Sequence, residues 1–267
     1  MTDAEVTVVP RGTISMDRNF QLEAHTIARH SDPNPDLELV ESPIYNLLIE
    51  HPEGTVLWDT GAHPEAGEGH WPAGLFDAYP LEDPEEHTLD ADLERVGYGV
   101  EDIDYVVQTH LHMDHAGGLE RFAGTDVPVF VHEEELKYAY LSATTREGSA
   151  GYVLGDFHHD LEWRLVHRHR ETPFEDLELL HLPGHTPGML GTLLHLDDAG
   201  TLLFTSDLAD VAANYRKERP LGPGLLWNKQ AWLESLRTAK ELERRHDAEV
   251  VYGHDHDQYE EIREGWP

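Results

Sequence analysis

The sequence predicts an α/β protein in which β-sheets pack against helices within a single domain. Short β-rich segments alternate with helical segments through both halves of the chain, which is typical of layered α/β folds. No internal repeat and no low-complexity linker divides residues 1–267, so we expect one domain rather than two separable ones. Apolar residues make up 39% of the sequence, which is enough for a sizeable core.

The first half of the sequence predicts a β-hairpin and then alternating helices and strands. The segments IYNLLIEH (44–51) and TVLWDTG (55–61) are β-rich and are joined by a Pro-Glu-Gly turn, which indicates a hairpin. Residues 64–88 are rich in Gly, Pro and acidic residues and predict a long loop, whose aromatic side chains belong either to the core or to a pocket: Trp71, Phe76 and Tyr79. Further elements are expected as helices at 89–97, 116–124 and 132–143 and as strands at 103–109 and 127–132.

The second half continues the same alternation. Strands are expected at 161–167, 177–182, 190–196, 201–206 and 248–253. A long helix is expected at 228–246, where apolar residues recur at helical spacing.

The charge of the chain is strongly acidic. Asp and Glu total 53 against 19 Lys and Arg, giving a formal net charge of −34, and the acidic residues are spread along the whole chain. Such self-repulsion is tolerable where salt screens it, since the Debye length falls to about 3 Å at 1 M salt. We therefore expect a folded protein from a high-salt cytoplasm, such as that of a haloarchaeon; an ordinary acidic protein is the alternative. Nucleic acid is not expected as a partner, because phosphate binding needs a basic surface.

The sequence shows no targeting or membrane segment. The start, MTDAEVTVVPRG, has neither a basic region nor an apolar core of a signal peptide, and no stretch approaches 18 apolar residues. We expect a cytoplasmic protein, monomeric or homodimeric, without a membrane partner. The absence of cysteine excludes disulfides, thiolate metal sites and a cysteine nucleophile.

A short segment, THLHMDHAGG, crowds four potential metal ligands together: His110, His112, Asp114 and His115. Residues one and two apart on a helix do not face each other, so this spacing suits a turn at the end of the preceding strand. Imidazole and carboxylate ligands favour Zn²⁺ and its neighbours, and a site without cysteine favours a catalytic rather than a structural metal.

Three further candidate ligands follow predicted strands. His185 lies in HLPGHTPG, Asp207 ends TLLFTSD, and His254 follows VVYG, with His256 as its nearest rival. Seven ligands exceed the needs of one zinc ion. They suit two zinc ions that share a carboxylate, about 3.5–4 Å apart, and Asp207 is able to bridge them.

These motifs resemble those of the metallo-β-lactamase superfamily. The segments THLHMDHAGG, LWDTG, PGHTPG and YGHDH and the Asp after TLLFTS match in order and spacing over nearly the whole chain. The closest likeness is to the N-acyl homoserine lactonases. The resemblance implies an αββα four-layer sandwich, with two mixed β-sheets flanked by helices.

The resemblance also implies a dizinc site and assigns its ligands. His110, His112 and His185 would hold the first zinc, Asp114, His115 and His254 the second, and Asp207 would bridge them. The same ligands also bind Mn, Fe or Co. Asp59 of the WDTG motif resembles a residue that orients the ligands.

The implied reaction is the opening of a lactone ester, such as that of an N-acyl homoserine lactone, by attack of a metal-bridging hydroxide. Asp114 would carry the proton to the leaving alkoxide. The partner is thus a small-molecule lactone or ester. The alternatives are other hydrolases of this fold, namely a thioesterase resembling glyoxalase II, a β-lactamase or a phosphodiesterase, and, in a different class, a non-catalytic metal-binding or sensor protein.

One position departs from the lactonase pattern. Lactonases of this type usually carry a Tyr three residues after the bridging Asp, where this chain has Asp210. An ionised carboxylate cannot donate a hydrogen bond. Either another hydroxyl takes over, such as that of Tyr215 or Tyr45, or the substrate differs. Asp210 and Tyr215 therefore join Asp114 and Asp207 as candidate catalytic residues.

Overall fold

Two β-sheets lie face to face in the computed structural model, which describes residues 2–145 and 147–266. The larger sheet has seven strands in the order β4-β1-β2-β3-β5-β6-β7, and the smaller has five in the order β12-β11-β10-β9-β8. The strands of the larger sheet are β1 (Glu5–Asp17), β2 (Leu39–His51), β3 (Gly54–Trp58), β4 (Leu81–Glu82), β5 (Tyr105–Val107), β6 (Pro128–His132) and β7 (Glu162–Val166). Those of the smaller sheet are β8 (Arg170–Phe174), β9 (Leu177–His181), β10 (Leu190–His195), β11 (Thr201–Phe204) and β12 (Glu249–Val251).

Helices cover the outer faces of both sheets. The α-helices are α1 (Arg18–Gln21), α2 (Ala73–Ala78), α3 (Leu89–Arg95), α4 (Glu133–Thr145), α5 (Leu154–Phe157), α6 (Ala212–Arg216), α7 (Lys229–His246) and α8 (His256–Ile262). Short 3₁₀ helices span Ala66–Glu68, Pro84–Glu86, Val100–Asp102, Leu119–Phe122 and Ser206–Leu208.

Alternating side chains explain why the sheets carry apolar layers on both faces. Neighbouring residues of a strand point to opposite faces. On β2, Leu47 packs between the two sheets, whereas Leu48 packs under the helices outside the larger sheet. On β10, Leu194 faces the other sheet and Leu193 faces α7. Three apolar layers thus separate four layers of structure, which confirms the αββα sandwich.

Helix α7 shows why the outer layer of the smaller sheet forms. The side chain of Asn228 accepts hydrogen bonds from the backbone of the first turn, which caps the helix. Trp232, Leu236 and Ala239 recur at spacings of four and three residues, are buried, and face the sheet. The predicted helix at 228–246 is therefore confirmed.

Most predicted elements are present, with three kinds of difference. Strands β1 and β8 and the helices α1, α5, α6 and α8 were not predicted. In β1, Pro10 and Gly12 obscure the strand pattern, and a register shift between Pro10 and Thr13 accommodates them. The segment 64–88 is not a bare loop, since it contains α2 and β4. The short helix predicted at 116–124 is a 3₁₀ helix. Within the described ranges, no helix is long and apolar enough to cross a membrane.

Candidate metal centre

The turn that follows β5 carries the first four candidate ligands. Its residues are irregular rather than helical, as the spacing predicts, and the backbone N–H groups of His115 and Ala116 both donate to the carbonyl of His112 at 3.0 Å. The turn can approach the segment that follows β3 closely because of its glycines. A Cβ atom on Gly117 would lie 2.1 Å from the backbone nitrogen of His63, so this position excludes a side chain.

The other three candidate ligands lie beside this turn, each after a strand. His185 follows β9, Asp207 lies in the 3₁₀ turn after β11, and His254 follows β12. The turn before His185 packs directly on α7, because a Cβ atom on Gly184 would lie 2.5 Å from the Cα of Trp232. The edges of both sheets therefore bring ligands from four separate segments to one place, as expected from the sequence.

Three histidines form one ligand group. Nε2 of His185 lies 2.8 Å from Nδ1 of His112 and 3.2 Å from Nε2 of His110. The three ligand atoms lie within 4.8 Å of one another. Ligands of a tetrahedral zinc ion at about 2.0–2.1 Å are separated by about 3.4 Å, so this spacing fits a metal ion at their centre.

A second group consists of Asp114, His115 and His254. Oδ2 of Asp114 lies 3.6 Å from Nε2 of both His115 and His254. These atoms too lie within 4.8 Å of one another. Two groups of three ligands thus stand side by side.

Asp207 lies between the two groups. Its Oδ2 is 3.4 Å from Nε2 of His185, and its Oδ1 is 3.4 Å from Nε2 of both His115 and His254. Each oxygen therefore faces a different group, which is the geometry of a bridging carboxylate. Among the described residues, Oδ1 of Asp207 and Nε2 of His115 are buried with no hydrogen-bond partner. Buried polar atoms are seldom left unpaired, and a metal ion would satisfy both.

The second ring nitrogen of each histidine has a contact of its own. Nδ1 of His115 bonds to the carboxylate of Asp59 at 2.9 Å. Two histidines bond to backbone carbonyls: Nδ1 of His254 to that of Pro43 at 2.9 Å, and Nδ1 of His185 to that of Leu225 at 2.6 Å. The other two contact hydroxyls: Nδ1 of His110 lies 3.1 Å from Thr109 Oγ1, and Nε2 of His112 lies 3.1 Å from Ser149 Oγ. Such contacts fix ring orientation and are typical of metal-binding histidines.

Asp59 is buried next to the second ligand group and accepts several hydrogen bonds. It also accepts hydrogen bonds from the backbone N–H and the hydroxyl of Thr109, each at 2.8 Å. Its backbone has a φ of 61°, a left-handed conformation that Asp tolerates better than most residues. The orienting contact that the sequence resemblance implied for Asp59 is thus present as a hydrogen bond to His115.

Burial governs the charge state of the first group. It lowers the pKa of His112 well below the usual value, and the neighbouring His185 adds to the effect. For His254, burial opposes the charge, but the carboxylates of Asp207 and Asp114 outweigh it and raise the pKa to about 9. Neutral imidazole is the form that binds metals, so the first group is ready to bind without losing protons.

Glu135 supports the first group, and the sequence analysis missed it. It is fully buried at the start of α4; Oε1 accepts the backbone N–H of Leu111 at 3.0 Å and the hydroxyl of Tyr152 at 2.7 Å, and Oε2 accepts the N–H of Gly188 at 3.3 Å. The ring of Tyr152 in turn packs 4.5 Å from that of His112. In sequence, Glu135 is one of three consecutive acidic residues, which resembles a solvated first turn of a helix.

A cavity opens above the ligands. Its side walls are largely apolar and include Ile14, Met16, Leu75, Met113 and Leu225. Polar groups among its lining residues, besides the metal ligands, are Tyr79, Ser149 and Asp210. Of the loop aromatics left open by sequence, Trp71 belongs to the core and Tyr79 to the cavity.

The two other hydroxyls considered as replacements for the missing Tyr lie elsewhere. Tyr215 donates to Glu243 at 3.0 Å and packs with Tyr252 under α7, and Tyr45 donates to the carbonyl of Tyr252. Neither is among the described residues that line the cavity. Tyr215, which the sequence made a candidate for the site, has its hydroxyl held by a glutamate of the helical layer.

Comparison with known proteins places the chain in a family. Residues 40–254 match the metallo-β-lactamase superfamily. The chain is 31% identical to the N-acyl homoserine lactonase AiiB of Agrobacterium fabrum, over 94% of each protein, and 30% identical to an N-acyl homoserine lactonase of a Bacillus species, over 97% of this chain and 96% of that one.

Solved structures agree with the sequence comparison. An N-acyl homoserine lactone hydrolase with the product N-hexanoyl-L-homoserine at its catalytic metal centre superposes with a TM-score of 0.83 at 26% identity, over 98% of both chains. This chain therefore belongs to the metallo-β-lactamase superfamily, and its relatives include N-acyl homoserine lactonases.

Proposed function

We propose that this protein is a metal-dependent hydrolase that opens the ester bond of lactones such as N-acyl homoserine lactones. The observation that carries the proposal is the position of Asp207, whose two oxygens face two different groups of three ligands on the floor of an apolar-walled cavity. The relatives and structural neighbours named above support the same substrate class.

We infer that the bound metal is a pair of zinc ions, with Mn, Fe or Co as alternatives. His110, His112 and His185 would hold one ion, Asp114, His115 and His254 the other, and Asp207 both. When bound, such a pair polarises an ester carbonyl and makes water a nucleophile near neutral pH. The absence of thiolate ligands and the open cavity above them favour a catalytic role over a structural one.

The chain's own polar groups would then position substrate and move protons. Asp114 is partly exposed at the cavity floor, so its carboxylate can pass a proton to the departing alkoxide. Tyr79 brings a hydroxyl to the same cavity. Burial, and then the charges of Asp114 and Asp210, raise the pKa of Tyr79, which keeps it a hydrogen-bond donor for the ester oxygen.

The apolar wall of the cavity would bind the acyl chain, which is the part of the substrate that does not react. Ile14, Met16 and Leu75 come from β1 and α2, which carry none of the candidate ligands. Burial of a flexible acyl chain there is favourable by about 0.8 kcal/mol per CH₂ group. This wall favours an acylated lactone over a small polar ester.

The proposal is tested by ring opening of N-hexanoyl homoserine lactone by the zinc-loaded protein in molar KCl, with metal content measured. We expect opening that is lost in His112→Ala, which removes one ligand of the first group. A matched control is His256→Ala, an exposed histidine at the start of α8, which should retain activity. If zinc-loaded protein opens no lactone but turns over a thioester, a β-lactam or a phosphodiester, the proposal is wrong and the protein is the corresponding hydrolase.

A further inference from the structure

The carboxyl group of Asp210 is buried in the cavity and unpaired. Asp210 is 1% exposed and lines the cavity, and neither Oδ1 nor Oδ2 has a hydrogen-bond partner in the described part of the chain. A buried polar group without a partner costs about 1–3 kcal/mol, and more if it is charged. A group that carries this cost in a binding cavity is a candidate contact for the ligand.

The surroundings of Asp210 add to the cost of burying its carboxyl group without a partner. Burial raises the pKa of Asp210, and the carboxylates of Asp207 and Asp114 add to this, with His254 acting in the opposite sense. Among the described residues, Asp210 belongs to no group of possible metal ligands, so it does not share their role. The backbone is held in place, because the N–H of His254 donates to the Asp210 carbonyl at 2.8 Å.

We propose that Asp210 accepts a hydrogen bond from an N–H group of the substrate, carried by the carbon next to the scissile ester carbonyl. This inference rests on the proposed function and adds Asp210 to it as a residue that contacts the substrate. An ester reacting over the ligand groups would lie beside Asp210, so the atom that meets this side chain is one directly attached to the lactone ring. A substrate oxygen there would face a carboxyl oxygen, acceptor against acceptor, whereas an N–H supplies the missing donor.

The acceptor role holds in either protonation state. An ionised carboxylate accepts at both oxygens, and a neutral carboxylic acid still accepts at its carbonyl oxygen. A site built to bond a substrate N–H rejects an analogue that lacks it, because the site's buried acceptor is then left unpaired. Asp210 would therefore act as a specificity-determining residue.

The test compares two lactones that differ in one atom: N-hexanoyl homoserine lactone and its analogue in which CH₂ replaces the amide N–H. The ratio of the two kcat/KM values is measured for the zinc-loaded wild type and for two variants of similar size. Asp210→Leu removes both acceptors, whereas Asp210→Asn keeps one. Because each ratio is taken within one preparation, loss of metal or of folded protein in a variant cancels.

We expect the wild type to prefer the N–H substrate by about 10- to 100-fold, the range for leaving a buried acceptor unpaired. The preference should vanish in Asp210→Leu and survive in part in Asp210→Asn. Equal opening of both lactones by the wild type, or an unchanged ratio in Asp210→Leu, would overturn the inference and leave the proposed function standing. Opening of neither lactone by loaded wild type would overturn both.

Discussion

Oε1 of Glu135 accepts the backbone N–H of Leu111 at 3.0 Å, midway between two candidate metal ligands in the chain. Its second oxygen reaches Gly188, three residues after His185. One buried carboxylate thus joins the two segments that supply the whole first ligand group. The side chain contacts no ligand atom itself, so its effect on the metal would pass through the backbone it holds.

Replacing Glu135 with Gln should weaken the hydrogen bonds that join these two segments. The amide NH₂ of Gln would take the place of one carboxylate oxygen, so that a donor would face a donor. We expect a loss of about 1–3 kcal/mol in unfolding free energy and an affinity for zinc about 10- to 100-fold weaker. Competition with a chelator measures the second effect. The matched control is Glu134→Gln, whose half-exposed side chain pairs with Lys137 and should matter little. Equal zinc affinities for the two variants would contradict the role given to Glu135.

The grouping of the candidate ligands could be predicted from sequence because each of them follows a strand within a local motif. His254 was preferred to His256 on that ground, and only His254 belongs to a ligand group in the described residues. Glu135 could not be predicted, since its partners are distant in sequence and its acidic neighbours suggest solvent exposure. The contact of Tyr215 with Glu243 could not be predicted, because the position of a tyrosine in the chain does not show which way its hydroxyl points. Strand β1 was missed because a Pro and a Gly lie within it.

Tyr79 and Tyr215 are two candidate hydroxyl donors for the reaction, and their hydroxyls lie in different environments. Tyr79 lines the cavity, whereas Tyr215 donates to Glu243. Removing a donor to the developing oxyanion costs about 10²–10³-fold in rate. We therefore expect Tyr79→Phe to lower kcat for lactone opening by an amount of that order, with zinc content unchanged, and Tyr215→Phe to lower it far less. A larger loss of kcat in Tyr215→Phe than in Tyr79→Phe would assign the role of oxyanion donor to Tyr215 instead.

His70 links the segment 64–88 to α5 and should make stability depend on pH. Its Nε2 lies 2.5 Å from Oδ1 of the buried Asp156, and this hydrogen bond raises the pKa of His70 against the effect of burial. Burial raises the pKa of Asp156, and the bond from His70 opposes that rise. A raised histidine pKa stabilises the fold fully below its unfolded value of about 6.5, and the effect is lost as pH rises through the folded value.

The corresponding measurement is the difference in unfolding free energy between wild type and His70→Gln, from urea titrations below and above that window. We expect the difference to be larger at about pH 6 than at about pH 9, where the imidazole is neutral. His30→Gln, at an exposed histidine, serves as the control. A difference for His70→Gln that stays constant across this range would rule out the linkage.

The formal net charge of −34 should make the fold dependent on salt. Raising KCl from about 0.1 M to about 1 M shortens the Debye length from about 10 Å to about 3 Å, which screens repulsion among the surface carboxylates. We expect the melting temperature to rise by at least about 2–4 °C, the shift that corresponds to 1 kcal/mol for a domain of this class. A melting temperature that falls or does not change would argue against adaptation to high salt.

The most direct test of a two-metal lactone hydrolase is a titration of chelator-treated protein with zinc, following ring opening of N-hexanoyl homoserine lactone at each step. Because Asp207 faces both ligand groups, we expect activity to rise until two equivalents are bound and then to level off. In Asp207→Ala the plateau should be lost. Activity that is complete without zinc, or a protein that binds two equivalents and opens no lactone, would contradict the account.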